Sequence, residues 1–516
     1  MKKLTALFLS MLMVLTLVIS MTTFAVSAEN TTVTADKSWY KETQSEFTIT
    51  TPAQFLGFAA LINEGTTFEG KTVKLGNDIT MNADFDGNKP ADATNLVEYS
   101  IDTNKDFLGT FDGQNHAIIG LYMAEVSTRQ GIFGNIITEG KTATVQNLAI
   151  IKSYMSVIGN QIGSMFGQVK GTANIYNCYV DVNFDFALAP TADRWGFGGF
   201  IAHLSSANAA ANISNCVFAG DLNIPATRAM VAGFIARAEN FKTITITNCA
   251  MYGNIPTGSN NSVSGFIGRV HNIANSTVTF NNCICAGVGT GISGSFWTPD
   301  TNATNPDVRI NNSFYTTPTY KKSHNFTDVQ GDEPIEDSVL KSGVPEGFKT
   351  WTTLNSEYPL PINVAYMIGH VNEDTAKDGY ETAFAGYQNT DFIDGFSNIR
   401  LIGVVNDMNE DGSLDDEYTA VGFEVEMISP KIWDNKVEGV APKITTVYSS
   451  VLEGETPKSA SDLGGDYIFV ATITGVKKNV GDVTFVVKTF HDTDDGRVYD
   501  DAYVITYFTG AVASAS

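Results

Sequence analysis

The residues best suited to bind a metal ion are a run of oxygen-bearing side chains near residue 410. They stand at alternate positions of one segment: Asp407, Asn409, Asp411, Ser413 and Asp415. Oxygen ligands at positions 1, 3 and 5, with Gly412 at position 6, match the first half of a calcium-binding loop. Position 12, which should supply a bidentate acid, is Tyr418. The alternatives are a Ca²⁺ site and a solvated acidic hairpin loop, and no other cofactor is expected.

A second set of polar residues follows a repeated Gly-Phe motif and has the chemistry to bind an extended glycan. One residue comes from the fifth position of each copy: Asn135, Gln168, His203, Arg237 and Arg269. Stacked copies would place these side chains in one outward line, the polar row, with Trp195, Tyr176 and Tyr179 nearby for stacking on sugar rings. The alternative is that outward strand positions are polar only because they face water.

The acid, base and nucleophile residues form no familiar catalytic pattern. The chain has no G-x-S-x-G, no H-E-x-x-H and no phosphate-binding loop, and its six histidines are dispersed. Glycoside cleavage needs two carboxyl groups held together. Four acids lie in neighbouring repeats but at different repeat positions: Asp181, Asp185, Asp193 and Asp221. We therefore expect that the protein is not an enzyme.

The polar row is positioned by a repeat that also carries an asparagine. The asparagines are Asn147, Asn177, Asn215, Asn248, Asn282 and Asn312, at steps of 30, 38, 33, 34 and 30 residues. Because the Gly-Phe motif interleaves at a similar period, one structural unit is repeated and stacked. Each motif is a short β-branched or aromatic run bounded by Gly, Asn, Ser and Thr, which indicates strands.

Stacked parallel strands lie about 4.8 Å apart, so equivalent asparagines should form a ladder of amide hydrogen bonds. Phenylalanine and isoleucine would fill the interior. The predicted fold class is all-β: a right-handed parallel β-helix, or β-solenoid, followed by a small antiparallel β-sandwich. Thr51, Pro52 and Gln54 predict the start of an amphipathic helix that ends at Gly65 and caps the open N-terminal end.

Four of the five cysteines directly follow a ladder asparagine: Cys178, Cys216, Cys249 and Cys283. Side chains stacked in this way point in the same direction, which suits the torsion of a disulfide poorly. We therefore expect buried free thiols that behave as small hydrophobic groups. Disulfides are the alternative, since exported proteins commonly contain them.

The chain divides into five predicted segments. They are a signal peptide at 1–28, an N-terminal segment at 29–48, the β-helix at 49–366, a linker at 367–395 and the β-sandwich at 396–512. Within the β-helix, Tyr358–Asn363 is predicted to close the solenoid. Six alternating strands predict the sandwich: Ile399–Val405, Tyr418–Met427, Ile444–Val451, Tyr467–Val476, Val483–Phe490 and Val498–Phe508.

The cellular localisation of the protein is predicted from its first residues. Lys2 and Lys3 precede an apolar run from Leu4 to Ser20, and Ala28 ends a cleavage site, which together are typical of a secretory signal peptide. No later segment approaches the roughly 18 apolar residues that span a bilayer. We expect an exported protein, secreted or associated with the cell surface, without membrane insertion.

The net charge of the chain limits the classes of molecule that could bind to it. The formal net charge is −24, and losing Lys2 and Lys3 with the signal peptide makes it −26. Residues 131–315 are near neutral, with nine basic and eight acidic residues, whereas residues 370–516 hold 10 basic and 26 acidic residues, a net −16. Such a chain repels nucleic acid and anionic membrane. The partners that remain are an extracellular glycan or a ligand on a host or cell surface.

The repeats resemble a known family. Gly199-Phe-Ile-Ala, Gly233-Phe-Ile-Ala and Gly265-Phe-Ile-Gly, each followed by Ile/Phe-x-Asn-Cys, are similar to the GLUG-type repeat of bacterial surface and secreted proteins. The chain departs by using Phe where that family prefers Leu, and often Ala for the last Gly. The resemblance covers about residues 39–365. It implies a right-handed β-helix, an extracellular location and adhesin-like or glycan-associated roles, and it implies no reaction.

These observations favour a secreted, non-catalytic protein that is adhesin-like or binds a glycan. A polysaccharide lyase or hydrolase on the same scaffold is the alternative, and a structural spacer for the terminal module is a third reading. Fold analogy alone does not separate them.

Overall fold

The computed structural model describes residues 33–186, 196–224, 229–255, 262–271, 276–287, 296–299, 307–316, 332–348, 351–353, 356–372, 382–389, 396–405, 420–428, 444–448, 467–477, 482–493 and 496–508. Its helices are α1 (Pro52–Asn63), α2 (Asp337–Ser342) and α3 (Ile362–Asn372).

The strands fall into an N-terminal and a C-terminal group. The first group is β1 (Glu46–Ile49), β2 (Thr72–Leu75), β3 (Ile79–Thr80), β4 (Thr110–Ile119), β5 (Tyr122–Val126), β6 (Thr142–Val157), β7 (Ile162–Gly163), β8 (Phe166–Val169), β9 (Thr172–Phe186), β10 (Phe197–Gly198), β11 (Ile201–Leu204), β12 (Ala210–Ser214), β13 (Val217–Phe218), β14 (Leu222–Asn223), β15 (Val231–Ala232), β16 (Ile235–Glu239), β17 (Thr243–Thr247), β18 (Ala250–Met251), β19 (Val263–Ser264), β20 (Ile267–His271), β21 (Thr277–Asn281), β22 (Ile284–Cys285), β23 (Trp297–Pro299), β24 (Asp307–Asn311), β25 (Ser313–Thr316), β26 (Asp332–Ile335), β27 (Trp351–Thr352) and β28 (Leu360–Pro361). The second group is β29 (Thr382–Asn389), β30 (Phe396–Val405), β31 (Ala420–Ile428), β32 (Ile444–Tyr448), β33 (Tyr467–Lys477), β34 (Asp482–Thr493) and β35 (Gly496–Phe508).

The N-terminal group forms a parallel β-solenoid of about five turns, which confirms the predicted fold class. Its largest sheet, the ladder sheet, has 17 strands and contains β9, β12, β17, β21 and β24. A four-stranded sheet, β7-β10-β15-β19, and a five-stranded sheet, β8-β11-β16-β20-β23, complete each turn. The first strand of the ladder sheet starts at Glu46, so the solenoid begins three residues before the predicted boundary at 49.

Phenylalanines fill the interior as the repeats predict. Successive ring centroids of Phe200, Phe234, Phe266 and Phe296 lie 4.8, 4.5 and 5.2 Å apart, and all four rings are fully buried. Burying one such side chain contributes about 1.5–3 kcal/mol. The glycines before Phe200 and Phe234 are needed for space, because a Cβ on Gly199 would lie 2.0 Å from the carbonyl oxygen of Gly233 and one on Gly233 would lie 2.0 Å from Sδ of Met251.

The asparagine ladder is confirmed. Each side-chain amide donates from Nδ2 to the Oδ1 of the preceding asparagine, at 2.8, 3.0, 3.1, 3.2 and 2.8 Å for the five pairs from Asn177–Asn147 to Asn312–Asn282. All six residues have φ between 44° and 53°, the left-handed region that asparagine tolerates better than most residues. The ladder therefore marks a sharp corner at which each turn of the solenoid changes direction.

Helix α1 stands between β1 and β2 in the chain and packs its apolar face on the core, as its sequence predicts. Thr51 is the N-cap and its hydroxyl accepts from the backbone N–H of Gln54 at 3.2 Å, with Pro52 in the first turn. Its buried face meets the first turns through rings: Phe55 lies 4.6 Å from Tyr99, centroid to centroid. The helix thus covers apolar surface that an open stack would expose.

Residues 336–372, within the described ranges, form a strap along the outside of the ladder sheet. Leu340, Phe348, Trp351, Leu360 and Val364 from the strap share one buried cluster with the solenoid residues Ala149, Val217, Ala250 and Ile284. The rings of Tyr252 and Tyr358 stack at 5.0 Å, and Asn363 donates to Oδ1 of the ladder residue Asn177. The prediction that Tyr358–Asn363 closes the end of the solenoid is wrong, because this segment packs against its side.

All five cysteines are free and buried, as predicted. Each thiol of the four-membered column donates to the backbone carbonyl oxygen two residues earlier, at 3.1 to 3.3 Å between sulfur and oxygen. Burial raises the pKa of all four thiols in the column. The column therefore belongs to the apolar core.

The C-terminal group forms two antiparallel sheets, β29-β30-β33 and β32-β31-β34-β35. The sheets meet through the rings of Phe423 and Phe469, whose centroids lie 4.7 Å apart. All six predicted strands are present. The segment predicted as a linker, 367–395, contains the end of α3 and the strand β29, which pairs with β30. The sequence does not predict β29, because Thr382–Asn389 lacks polar–apolar alternation and lies among Gly- and Asp-rich residues.

Candidate functional site

The polar row is aligned across the solenoid as its spacing predicts. In the five-stranded sheet, His203 is the register partner of both Gln168 and Arg237, and Arg237 is the partner of Arg269. Asn135 continues the line, because its Oδ1 accepts from the backbone N–H of Gln168 at 2.8 Å. One residue from each turn therefore stands at the same place.

The expected exposure of the row is wrong. Asn135, Gln168, His203 and Arg237 are only 0 to 7% exposed, and Arg269 is half-buried. A ligand would have to displace their neighbours to reach them.

Polar contacts within the protein account for much of that burial. Nε2 of His203 lies 3.4 Å from Oε2 of Glu239, which also pairs with Nη2 of Arg237 at 2.6 Å. Gln161 contacts Nδ1 of His203 at 3.2 Å. Burial, followed by the nearby Arg237 guanidinium, lowers the pKa of His203 to about 4, so its ring is neutral at physiological pH. The row is an internal polar network across the turns, and its role in glycan binding stays a prediction.

The aromatic residues expected beside the row lie elsewhere. Tyr176 and Tyr179 are on the ladder sheet, where Tyr179 packs against the strap cluster. Trp195 lies outside the described residues, as does the whole loop that contains Asp407, Asn409, Asp411, Ser413 and Asp415. The calcium hypothesis therefore remains a prediction.

Among the described acids, Asp181, Asp185 and Asp221 do not form a catalytic pair at one register position, and Asp193 lies outside the described residues. Asp221 aligns with Asn183, whose Oδ1 accepts from the Asp221 backbone N–H at 2.7 Å, and Asp185 aligns with Asn223. Burial raises the pKa of Asp181. Within the described ranges, no group of three His, Cys, Asp or Glu residues is arranged to hold a metal ion, and no helix is long and apolar enough to cross a membrane.

The ladder sheet presents a surface that the sequence analysis overlooked. Strands β6, β9, β12, β17 and β21 alternate between core residues and outward residues before the asparagine corner. We call their outward residues the threonine face. It comprises Thr142, Thr144, Gln146, Thr172, Asn174, Tyr176, Ala210, Asn212, Ser214, Thr243, Thr245, Thr247, Thr277, Thr279 and Asn281.

The threonine face is a regular grid. Register partners run straight along the axis, for example Asn212 with Thr245 and Thr245 with Thr279. Adjacent strands lie about 4.8 Å apart, and outward residues on one strand lie about 6.6 Å apart, at twice the rise per residue. Three rows of side chains therefore stand in parallel over five strands.

The side chains of this grid are held in place by one another. Asn212 donates to Oδ1 of Asn174 at 3.0 Å, and Asn281 donates to the hydroxyl of Thr247 at 3.2 Å. Threonine side chains are stiff at χ1 because they are β-branched. All fifteen residues except Thr142 are half-buried, so the face is ordered but reachable.

The grid carries no charged residue, although the chain as a whole has a net charge of −24. Charged side chains stand only on the rungs beyond it. At the N-terminal end Asp112 on the neighbouring strand β4 accepts from Nε2 of Gln146 at 2.9 Å, and Lys74 pairs with Glu46 at 3.0 Å further along the axis; at the C-terminal end Arg309 pairs with Asp307. The sequence signal is the alternation Thr-x-Thr in two consecutive copies, Thr243–Thr247 and Thr277–Asn281, which by itself indicates only a strand.

Fold and surface together define a β-solenoid with an uncharged hydroxyl- and amide-bearing face. Comparison of the chain with models of protein families, with curated proteins and with solved structures finds no match.

Proposed function

We propose that the protein is a secreted, non-catalytic, adhesin-like protein that binds an extracellular glycan through its threonine face. The observation that carries the proposal is the grid of uncharged hydroxyl and amide groups on one face of the ladder sheet. Sugars present the same kinds of donors and acceptors, and a preorganised surface loses little side-chain entropy when it binds them.

Two further features support a neutral glycan as the ligand. Tyr176 stands on the face and offers an aromatic ring for stacking on a sugar. The absence of charge on the fifteen grid positions gives no attraction for sulfated or uronic acid polymers, which the acidic remainder of the chain would repel. The predicted signal peptide supports an extracellular site of action.

The test is a glycan array screened with the full mature chain and with Thr245→Val/Thr279→Val. Valine keeps the shape and β-propensity of threonine but removes the hydroxyl group. We expect neutral glycans to bind the parent chain and to bind the double variant about tenfold more weakly, because two hydrogen bonds at about 0.5–1.5 kcal/mol each are lost.

The matched control is Thr48→Val/Thr72→Val, which makes the same change on β1 and β2, outside the grid. Binding that falls equally in both variants would contradict a site at the threonine face. Release of reducing sugar or of an unsaturated product from a bound polysaccharide would contradict the non-catalytic assignment.

A further inference from the structure

The shape of the threonine face indicates which physical form of glycan it recognises. The grid is three residues wide and five strands long, about 19 Å along the axis at strand spacing. A groove or pocket surrounds one chain of a soluble ligand, whereas an in-register sheet face presents all its rows to one side. Such a face can be fully used only by a ligand that is itself flat and wider than one sugar chain.

We propose that the threonine face binds the surface of an ordered, insoluble, neutral polysaccharide in preference to soluble chains of the same sugar. This inference rests on the proposed function and specifies its ligand. The occupant is a solid array of parallel, uncharged sugar chains, because the grid offers parallel rows of uncharged groups.

The energetic argument compares what each ligand loses on binding. A hydrogen bond exposed to water contributes only about 0.5–1.5 kcal/mol net, so a single soluble chain lying on one row gains little. It also loses its own conformational freedom, which costs affinity. Chains in a solid have already lost that freedom, and neighbouring chains engage all three rows at once, so weak contacts add as they do in multivalent binding.

The side chains of the threonine face are also ordered before the ligand binds. The amides of Asn174, Asn212 and Asn281 each donate along the axis to the preceding strand, so neighbouring side chains within a row hold one another in place. The face matches a rigid lattice at low entropic cost. A flexible or branched ligand would gain nothing from this rigidity.

The surface also ends where charge begins. The charges that bound it are Asp112 on β4 and the Lys74–Glu46 pair beyond it on one side, and the Arg309–Asp307 pair on the other. A solid of uronic acid or sulfated chains would place anions against a face that has no cation in its centre. Charge therefore selects a neutral solid.

The experiment measures adsorption of the full mature chain to microcrystalline cellulose and to crystalline chitin, with soluble oligomers of the same sugars as competitors. Calcium pectate gel is the charged comparison. The variants are Thr245→Val/Thr279→Val and the control Thr48→Val/Thr72→Val, each checked for the parent circular dichroism spectrum.

We expect adsorption to at least one neutral crystalline solid, about tenfold weaker adsorption of the grid variant, unchanged adsorption of the control, and no displacement by soluble oligomers at millimolar concentration. Soluble oligomers that bind the threonine face as tightly as the solid would overturn this inference and leave the proposed function standing. Adsorption to pectate alone would overturn it as well. Failure to bind any solid and any glycan on the array would overturn both.

Discussion

At the scale of single residues, the ladder asparagines have two duties. Their backbones turn the corner in the left-handed region, and their amides bond head to tail in one direction. The asparagine ladder begins at the carboxylate of Asp112, which accepts from Nδ2 of Asn147 at 3.0 Å and from Nε2 of Gln146 at 2.9 Å. Every later amide donates toward this end, so the ladder is polar and starts at an acceptor-only group.

Two substitutions of Asn248 distinguish the backbone role from the hydrogen-bonding role. Asn248→Ala removes the bonds to Asn215 and Asn282 and places a Cβ-bearing residue without a local partner at φ 53°. We expect the free energy of unfolding in urea to fall by about 3 kcal/mol, from two hydrogen bonds and left-handed strain.

Asn248→Gly is the matched control, since glycine adopts this φ without strain. Asn248→Gly should lose only the contribution of the two hydrogen bonds. Its free energy of unfolding should therefore be about 1 kcal/mol higher than that of the alanine variant. Equal stability of the two variants would mean that backbone strain does not matter at this corner, and a parent-like alanine variant would mean that the ladder contributes nothing.

The thiol column predicts a dependence of stability on pH. Burial raises the pKa of Cys283 to about 12, whereas an unfolded cysteine titrates near 8.5. Below pH 8 both states hold the proton. Above it the unfolded state ionises first, so stability is lost as the pH rises from about 8.5 to 12. The urea midpoint should fall between pH 8 and pH 10.

Cys283→Ala is the comparison for that measurement. The variant should be less stable than the parent at pH 8 but lose less stability on going to pH 10, although tyrosines contribute to both slopes. An unchanged slope would contradict the assignment to the thiol. In the native protein at pH 8 a thiol reagent should leave the column unmodified, and denaturant should release five reactive thiols.

Residue positions that recur were predictable, and their exposure was not. The ladder, the thiols and the interior phenylalanines each follow from one residue type at one repeat position. The alignment of His203 with Arg237 followed in the same way. Their burial depends on Glu239, Gln161 and other neighbours that no period connects to them, so the polar row was expected in solvent.

At the scale of elements, the strap packs against an apolar side of the ladder sheet and buries it. Val364 on α3 is fully buried in that cluster. Val364→Asp would bury an unpaired charge, which costs several kcal/mol. We expect the strap to detach while the solenoid stays folded, with faster tryptic cleavage after Lys341 and increased binding of an apolar dye.

Val339→Asp is the control, because Val339 on α2 is 52% exposed and should accept the charge without effect. Loss of the whole strand signal in circular dichroism for Val364→Asp would show that the strap is essential to the solenoid. Unchanged cleavage would show that it is not held through α3.

The elements differ in how far the sequence foretold them. Helix α1 was predictable because its start depends on local chemistry, a threonine cap followed by proline. The C-terminal strands were predictable from alternation. The strap was not, because it has no repeat, and its aromatic residues find partners in turns up to about two hundred residues earlier, such as Ala149. Tyr358–Asn363 was therefore expected at the end of the stack.

At the scale of the whole molecule, the predicted export is open to direct measurement. Secreted material should begin at Glu29, with a mass lower by that of residues 1–28, because the apolar run and Ala28 form the processing signal. Intact mass spectrometry and N-terminal sequencing check this. Ala28→Arg should block processing, whereas Ser20→Thr should not. Full-length protein in the medium would contradict the prediction.

The rung that carries Asp307 and Arg309 has a consequence for self-assembly. A stacked parallel sheet has no intrinsic length, and a bare terminal strand invites another copy to continue it into a fibre. Within the described residues β24 pairs with β21 alone, and a strand arriving at its other edge would have to accommodate the Asp307–Arg309 ion pair without a partner for either charge. Neutralising both charges should allow copies of the chain to associate end to end into fibres whose length increases with protein concentration.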